Sequence, residues 1–374
     1  MAATDPSSTA GDHVPHDRVA EITRFEDSKL GVKGLVDSGL GAIPGFFIHP
    51  AETLSSLRPG RPGVDLIPTI DLAGADSDRR AEIVERVSRA CRELGFFQII
   101  NHGVPVEALD RAIGAVRAFH EGPPEEKAGM YTRETKTGVS FFSNIDLFQS
   151  KAASWRDTLQ IRLAPTLPSL EDIPEVCRSE VVEWNQHIQQ LGSLLLGLLS
   201  EGLGLDMGRL EGLTCLGTRI MVAHYYPYCP EPDRTVGIAS HTDPGVITLL
   251  LQNHMGGLQI KKDEEWVEVE PVPGALVINV GDILQVDLSC KSVGQQWRLV
   301  KPCCCFIKSF CRLYLMMNTR AWSTECWQTL QRSLECPLLY SAIQAAESIR
   351  LDPFRSCSLL RNLRCSSNSC SLTT

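Results

Sequence analysis

The feature that most constrains the fold is a series of five short strand-like segments between residues 218 and 284. Each segment is rich in β-branched or aliphatic residues, and glycine or proline turns separate it from the next. Short strands at such close spacing pack as a β-sandwich or close into a barrel. The segments cover residues 218–227, 246–252, 257–262, 265–273 and 274–284.

The preceding part of the chain differs, because its apolar residues recur at helical spacing. The pattern predicts a helix over residues 77–95, with Ser77 as its N-cap and Gly95 just past its end. Two further helices are predicted over residues 105–123 and 180–204, and strands over residues 66–72 and 96–101. We therefore expect an α+β chain in which a helical region precedes an all-β core.

Composition indicates a globular chain and excludes several classes of partner. The 374 residues are 43% hydrophobic and 22% charged, with a net charge of −9. An acidic chain is poorly suited to nucleic acid or anionic membranes, since both attract basic surface. No apolar run reaches the roughly 18 residues of a membrane helix. Residues 1–17 are polar, expected to be disordered, and contain no secretory signal. We expect a cytoplasmic protein that binds neither nucleic acid nor membrane.

His241, Thr242 and Asp243 form an H-x-D triplet beside one of the strand-like segments. On a strand or at its end, residues i and i+2 face the same side, so this imidazole and carboxylate can meet one metal ion. Together with a distant second histidine they would form the facial triad of non-haem Fe(II) oxygenases. A bare H-x-D is also common in turns, where an Asp before proline, as in Asp243-Pro244, hydrogen-bonds to local backbone.

Several long motifs resemble the plant 2-oxoglutarate- and Fe(II)-dependent dioxygenases. They are ACRELGFFQIINHGVP at residues 90–105, HYYPYCPEP at 224–232, HTDPGVITLLLQ at 241–252 and GGLQIKKDEEWVEVEPVPGALVINVGDILQ at 256–285. The front stretch RFEDSKLGVKGLVDSGLGAIPGFFIHP at residues 24–50 resembles the aminocyclopropanecarboxylate oxidase homologues, a subgroup close to the benzoxazinoid-glucoside dioxygenases. The resemblance implies a mostly helical N-terminal region at residues 18–205 and a double-stranded β-helix, or jelly-roll, core at residues 206–285.

The same resemblance implies a site and a reaction. His241 and Asp243 match the first two iron ligands, and Tyr226 matches the tyrosine that helps to hold the oxoglutarate. His224 stands where asparagine is more usual, and residues 101–103 belong to a signature that shapes a turn and binds no metal. With Fe(II), O₂ and 2-oxoglutarate as cosubstrate, the family hydroxylates or desaturates a small metabolite while oxoglutarate becomes succinate.

The C-terminal part departs from the family pattern. The family uses a second iron-binding histidine and an R-x-S whose arginine pairs with the far carboxylate of oxoglutarate, because a guanidinium binds a carboxylate bidentately. The last of the nine histidines is His254. No R-x-S with strand context is expected after Gln285, since Arg355-Ser356 and Arg364-Cys365 do not fit. Residues 286–374 are therefore expected to be an aberrant tail that leaves the jelly roll incomplete at its C-terminal end.

A shift of reading frame accounts for the missing motifs. Read one base earlier, codons that can encode residues 318–329 can spell E-Y-K-S-V-E-H-R-V-L-A-N, which places a histidine under Thr324. The codons of residues 335–337 can likewise spell R-V-S. These are the two elements that the family pattern requires.

The segment before the shifted frame has the features of an intron. Val286 requires a GTN codon, which matches a donor site, and Cys311-Arg312 can be encoded with a pyrimidine-AG acceptor. Our hypothesis is that residues 286–312 translate a retained intron and residues 313–374 translate the last exon in the wrong frame.

Cysteine is concentrated in this tail, where ten of the 14 cysteines lie and Cys303, Cys304 and Cys305 are consecutive. A zinc site would need paired C-x-x-C spacing, and disulfides are rare in a reducing cytosol. A membrane-surface role for the cationic stretch at residues 297–317 is a further alternative.

Three functions are open on the sequence. The first is an active dioxygenase of plant specialised metabolism, and the second is an inactive splice or gene-model product. The third is a non-enzymatic binding module on the same fold. We expect oxidation of a small metabolite to be impaired in this chain, because one iron ligand and the anchoring arginine are missing from the expected places.

Overall fold

The structure is a computed structural model, and it describes residues 17–56, 61–62, 66–134, 138–213, 215–263, 265–285, 363–366 and 369–372. The described residues fall into two compact units. The first lies within residues 1–241 and 249–279, and the second within residues 242–248 and 280–374. The N-terminal stretch predicted to be disordered, apart from Asp17, and most of the predicted aberrant tail lie outside the described residues.

Helices dominate the first unit up to residue 212. They are α1 (Arg18–Ser28), α2 (Gly31–Asp37), α3 (Ala51–Ser56), α4 (Arg80–Glu93), α5 (Val106–Glu121), α6 (Pro124–Ala128), α7 (Arg178–Gly202) and α8 (Arg209–Gly212). Single 3₁₀ turns lie at Gly45–Phe47, Glu175–Cys177 and Pro232–Arg234. No helix in the described part of the chain is both long enough and apolar enough to span a membrane.

The three helices predicted from periodicity are confirmed as α4, α5 and α7, but the predicted start of α4 is wrong. The helix begins at Arg80, and its N-cap Arg79 makes no side-chain capping bond. Ser77 is taken up by the preceding turn, where its hydroxyl donates to Gly74 O at 2.9 Å. Gly95 does lie just past the end, with φ +72° and its N–H on Ala90 O, as expected for a left-handed C-terminal glycine.

The strands follow the predicted segments and add others. They are β1 (Arg61–Pro62), β2 (Thr69–Asp71), β3 (Phe96–Ile100), β4 (Val139–Phe142), β5 (Asp157–Ala164), β6 (Arg219–Tyr225), β7 (Ile247–Leu250), β8 (Gln259–Lys262), β9 (Glu265–Glu268), β10 (Leu276–Val280), β11 (Leu363–Ser366) and β12 (Ser369–Leu372). The sheet orders are β2-β3-β10-β7, β1-β9-β8, β4-β5-β6 and β11-β12. β4 and β5 were not predicted, so the N-terminal region is less purely helical than expected.

The β4-β5-β6 sheet, called the central sheet below, has two unlike faces, because successive side chains on a strand point to opposite sides. One face is apolar and packs with residues of α5 and α7 in a buried cluster that includes Phe119, Phe141, Leu159, Ile161, Leu163, Val181 and Ala223. On the opposite face Thr158 of β5 pairs in register with His224 of β6. Arg156, just before β5, and Tyr226, just after β6, extend that row, and these four residues define the polar face.

An aromatic cluster joins the N-terminal helices to the central sheet. Phe25, Phe46, Phe47 and Trp155 are buried together, and the Phe47 and Trp155 ring centroids are 4.9 Å apart. The Trp155 indole Nε1 donates to the carbonyl oxygens of Pro227 and Tyr228, both at 3.2 Å. This cluster therefore fixes the backbone immediately after Tyr226.

Within the second unit, Asp282 N donates to Asp243 O at 2.8 Å. Gly281 N donates to Val246 O at 2.9 Å. These bonds tie the Thr242–Thr248 loop to the residues that follow it in the same unit.

The second unit also contains the antiparallel hairpin of β11 and β12, in which Arg364 pairs in register with Ser371. The expectation that no R-x-S with strand context follows Gln285 is wrong, because Arg364-Cys365-Ser366 lies on β11. The described partner of this strand is β12. Arg364-Cys365 was rejected on the sequence because no strand was predicted there.

Candidate active site

Tyr226, the residue expected to hold oxoglutarate, lies directly after β6 on the polar face of the central sheet. A Cβ placed on Gly237 would be 2.7 Å from its Cδ1, so the absence of a side chain at Gly237 lets the segment 236–239 lie close to the ring. The charge of the Arg156 guanidinium acts on the Tyr226 hydroxyl. Burial raises the pKa of Tyr226, and Arg156 opposes that rise.

His224 lies two residues before Tyr226 and therefore on the same face. Its Nδ1 is 3.0 Å from Thr158 Oγ1, across the β5-β6 ladder. Thr158 is completely buried. The residue that replaces the more usual asparagine is thus part of a polar pair on the candidate site face.

His241, the first predicted iron ligand, is exposed in a segment without regular secondary structure. Its Nδ1 lies 2.9 Å from Ala239 O. A carbonyl can only accept, so Nδ1 carries the proton, and Nε2 is the nitrogen with the lone pair that a metal requires. The segment before it is held by Trp155 N on Val236 O at 2.8 Å and Ala239 N on Ser154 Oγ at 3.3 Å.

Asp243, the second predicted iron ligand, belongs to the second unit. Its Oδ2 accepts a hydrogen bond from Thr248 Oγ1 at 2.5 Å. Thr248 lies on β7, and Asp243 precedes that strand by four residues. The carboxylate is therefore oriented by a side chain of the strand that follows the H-x-D triplet.

The donor set does not complete an iron site. Among the described residues, no group of three or more His, Cys, Asp or Glu side chains is placed to hold a metal ion. The sequence supplies one imidazole and one carboxylate at the family positions and no histidine after His254. A facial triad needs two histidines and a carboxylate, so the residues present fit only part of the iron site.

The signature at residues 101–103 forms a turn, as expected. Asn101 has φ +52° and Gly103 has φ +83°. His102 Nδ1 accepts from Val104 N at 3.2 Å, so Nε2 is the nitrogen that donates to Gly274 O at 3.0 Å. Burial lowers the pKa of His102. The histidine thus joins the turn to the loop before β10 through backbone contacts.

Arg156 is a residue of the polar face that the sequence analysis missed. Its Nε and Nη1 are buried and have no hydrogen-bond partner among the described residues. Burial lowers the pKa of the guanidinium, while Tyr226 and Asp146 act in the opposite direction. The only sequence signal is its place next to β5, whose alternation of polar and apolar residues was itself overlooked.

A helical region before mostly antiparallel sheets, with an H-x-D ahead of β7 and a polar sheet face, is the arrangement of the non-haem iron oxygenases. A model of the 2OG-Fe(II) oxygenase superfamily matches residues 217–291. A second model, described as non-haem dioxygenase in morphine synthesis N-terminal, matches residues 67–180.

Relatives of known sequence agree with these matches. The 1-aminocyclopropane-1-carboxylate oxidase homolog 1 of Arabidopsis thaliana is 42% identical over 315 residues, which are 82% of this chain and 85% of that protein. Homolog 4 of the same plant is 45% identical over 285 residues, 76% of this chain and 80% of the relative. The chain belongs to the 2OG-Fe(II) oxygenase superfamily, whose members use Fe(II), 2-oxoglutarate and O₂.

Solved structures give the same fold. The crystal structure of JOX2 in complex with 2OG, Fe and JA is 31% identical, with a TM-score of 0.60 over 68% of this chain and 74% of that one. A 2OG-Fe(II) oxygenase family protein from Caulobacter crescentus, at 20% identity and a TM-score of 0.51, covers 59% of this chain and 75% of that one and is similar in fold alone. The predicted α+β class with a double-stranded β-helix core is confirmed, as are the family and its cofactors.

Proposed function

We propose that this chain comes from an enzyme lineage that hydroxylates or desaturates a small plant metabolite, and that turnover is impaired in the chain itself. Membership of the superfamily gives dioxygenase-type oxidation as the chemistry. The observation that carries the impairment is the donor set, which has His241 and Asp243 but no later histidine at the family position. An iron ion held by two protein side chains lacks one anchor of the facial triad, so we expect weak iron binding.

The residues that are present have defined tasks in this proposal. His241 and Asp243 would hold the metal, whose chemistry when bound is to activate O₂ alongside oxoglutarate. Tyr226 would hydrogen-bond to the oxoglutarate from the polar face. Trp155 and the aromatic cluster would keep the backbone after Tyr226 in place, so that its hydroxyl stays at a constant position.

We also propose that residues 286–374 arise from a retained intron and a shifted reading frame. The match to the superfamily model ends at residue 291, six residues after Gln285. That limit supports a boundary at which the family sequence stops and residues 286–312 translate an intron. Sequencing the transcript across the Gln285 codon tests this, and a spliced message that encodes the same protein would contradict it.

The activity experiment measures succinate formation by the full chain with Fe(II), 2-oxoglutarate and a panel of small acids and neutral metabolites. We expect succinate to stay near the level of the His241→Ala variant, which serves as the matched control. A variant whose C-terminus follows the spliced transcript is expected to form succinate well above that level. Robust turnover by the unchanged chain would overturn the impairment, and none by the spliced form would overturn the oxidative function.

The proposed substrate is a small molecule. JOX2 was solved with the small molecule JA, which supports a small-molecule substrate for this chain as well. We propose a cytoplasmic protein, because a net charge of −9 is poorly suited to association with anionic membranes. The second candidate is an inactive product of the same gene, which the incomplete donor set favours over a separate binding function.

A further inference from the structure

On the polar face, the guanidinium of Arg156 has buried N–H groups that lack hydrogen-bond acceptors among the described residues. Nε and Nη1 are shut off from solvent and have no hydrogen-bond partner in the described part of the chain. Buried charged donors without acceptors are costly, so such groups are normally paired. No carboxylate among the described residues forms an ion pair with Arg156, although Asp146 attracts it at longer range.

Among the described residues, the side-chain partner of Arg156 is neutral. Tyr226 acts on the Arg156 guanidinium. Because a guanidinium can only donate, it does not occupy the tyrosine proton, which remains available to donate to a ligand. A guanidinium and a phenol that both still have N–H or O–H groups to donate form a site for an oxyanion.

The position of the pair agrees with a ligand site. Asp157 pairs in register with Tyr225, so Arg156 and Tyr226 stand opposite each other at the next position of the ladder. Side chains at Arg156 and Thr158 share one face, which is also the face of His224. The two donors therefore point to the side of the central sheet that carries the candidate active site.

We propose that Arg156 and the Tyr226 hydroxyl bind a carboxylate on the polar face of the central sheet. The inference rests on the proposed function, because it assigns ligand chemistry to the same face. The carboxylate belongs either to 2-oxoglutarate or to an acidic substrate. In the first case Arg156 supplies a cation for the cosubstrate in a chain that lacks the family arginine at its expected place. In the second case it selects carboxylic acids as substrates.

The experiment measures binding without turnover, by calorimetric titration of the full chain in buffer containing a metal chelator. One arm uses 2-oxoglutarate and its dimethyl ester, and the other uses phenylacetate and phenylacetamide. Each arm compares the wild type with Arg156→Gln, Arg156→Lys and Tyr226→Phe. Arg162→Gln, on the same strand, removes an equal charge and serves as the matched control.

We expect Arg156→Gln to weaken binding of one of the two carboxylates about 10-fold or more, as for a lost charge-assisted hydrogen bond. The ester and the amide should bind alike in wild type and variant. Arg162→Gln should stay within about twofold of the wild type, because Arg162 lies six residues, roughly 20 Å, along the chain from Arg156 and its charge is screened over that distance. The arm that responds identifies the source of the carboxylate.

Arg156→Lys keeps the charge but loses the planar fork, so we expect about threefold weaker binding or more. If Arg156→Gln does not fold, Arg156→Lys provides the test of carboxylate binding. Equal carboxylate affinity in the wild type, Arg156→Lys and Tyr226→Phe would overturn the proposal, and so would a wild type that binds neither acid. Absence of succinate formation bears only on the proposed function, since these titrations need neither iron nor turnover.

Discussion

Thr158 and His224 stand directly opposite each other on β5 and β6, with Thr158 Oγ1 3.0 Å from His224 Nδ1. Thr158 has no exposed surface. Cross-strand pairs are the units that stabilise a sheet, and a buried hydroxyl must find a partner. The pair therefore couples the stability of the central sheet to a histidine on the candidate site face.

Replacing Thr158 with valine tests this coupling. Valine keeps the shape but removes the hydroxyl, so we expect the free energy of unfolding to fall by about 1–2 kcal/mol. The measurement is denaturant unfolding followed by circular dichroism. Thr23→Val is the matched control, because the Thr23 hydroxyl bonds to Val19 O on an exposed surface, and its effect should stay within about 0.5 kcal/mol. Equal stability of wild type and Thr158→Val would show that the pair contributes nothing.

The sequence was sufficient to predict the strands of the second half, because their Gly and Pro turns and aliphatic content are local signals. The same kind of signal was present in β5, where Leu159, Ile161 and Leu163 alternate with polar residues. That strand was overlooked because it lies in a region otherwise rich in helices. Period-2 alternation over six residues is thus enough to predict a strand even there.

The candidate site was predictable only in part. His241, Asp243 and Tyr226 stand in motifs that resemble the family, and the triplet spacing is local. Arg156 could not be found in this way, since Tyr226, the residue it interacts with, lies 70 positions further along the chain. At Ser77 the local signal itself was misleading. Ser77 was predicted to cap α4, but its hydroxyl bonds to Gly74 O within the preceding turn.

The carboxylate of Asp157 holds the beginning of α2 against the central sheet. It is fully buried, and it accepts hydrogen bonds from Val32 N and Lys33 N, both at 2.8 Å, and from Ser143 Oγ at 2.5 Å. Burial raises the pKa of Asp157, while Ser143, the two backbone N–H groups and Lys127 lower it. Three donors converge on two oxygens, so the position requires an acceptor-only side chain.

Asp157→Asn should therefore be severely destabilising. The amide NH₂ would face a donor, and we expect a loss of about 3 kcal/mol or more in unfolding free energy. Ser143→Ala removes one donor and leaves two, so its loss should be about 1–2 kcal/mol. Denaturant unfolding of both variants gives the comparison. An Asp157→Asn chain as stable as Ser143→Ala would mean that the carboxylate is not the anchor of α2.

His120 makes the stability of the fold depend on pH. It has no exposed surface, its ring is stacked on Tyr225 at 5.1 Å, and Nε2 lies 3.3 Å from Ala223 O. Burial lowers its pKa from 6.5 to about 3. In the unfolded chain His120 is protonated below about pH 6.5, whereas in the folded chain it stays neutral down to about pH 3. The free energy of unfolding therefore falls as the pH falls from 6.5 to 3.

We expect His120→Phe to remove this dependence. Between pH 6 and pH 4.5 the free energy of unfolding of the wild type should fall by about 1.4 kcal/mol per pH unit more than that of the variant. This slope corresponds to the uptake of one proton on unfolding. The measurement is the free energy of unfolding at several pH values. Above about pH 7.5 the two curves should run parallel, because the histidine is neutral in both states. Parallel curves throughout would show that His120 is protonated in the folded chain.

Gly281 allows a close backbone approach that fixes the loop carrying Asp243. A Cβ at Gly281 would overlap the carbonyl oxygen of Gly245, lie 2.6 Å from its carbon and reach Asp243 O at 3.0 Å. All three atoms are backbone, so no rotamer change relieves the contact, and the loop itself must move. The bonds from Asp282 N to Asp243 O and from Gly281 N to Val246 O hold it in place.

Gly281→Ala should therefore shift the Asp243 backbone and cost about 2 kcal/mol or more of unfolding free energy. If Asp243 binds metal as proposed, the affinity for Mn(II), measured by calorimetric titration, should fall together with stability. Gly41→Ala is the matched control, because Gly41 is exposed and a Cβ there meets nothing within 4 Å. A Gly281→Ala chain as stable as the control would show that the Asp243 loop tolerates displacement. Unchanged Mn(II) affinity in a destabilised variant would separate the loop's structural role from metal binding.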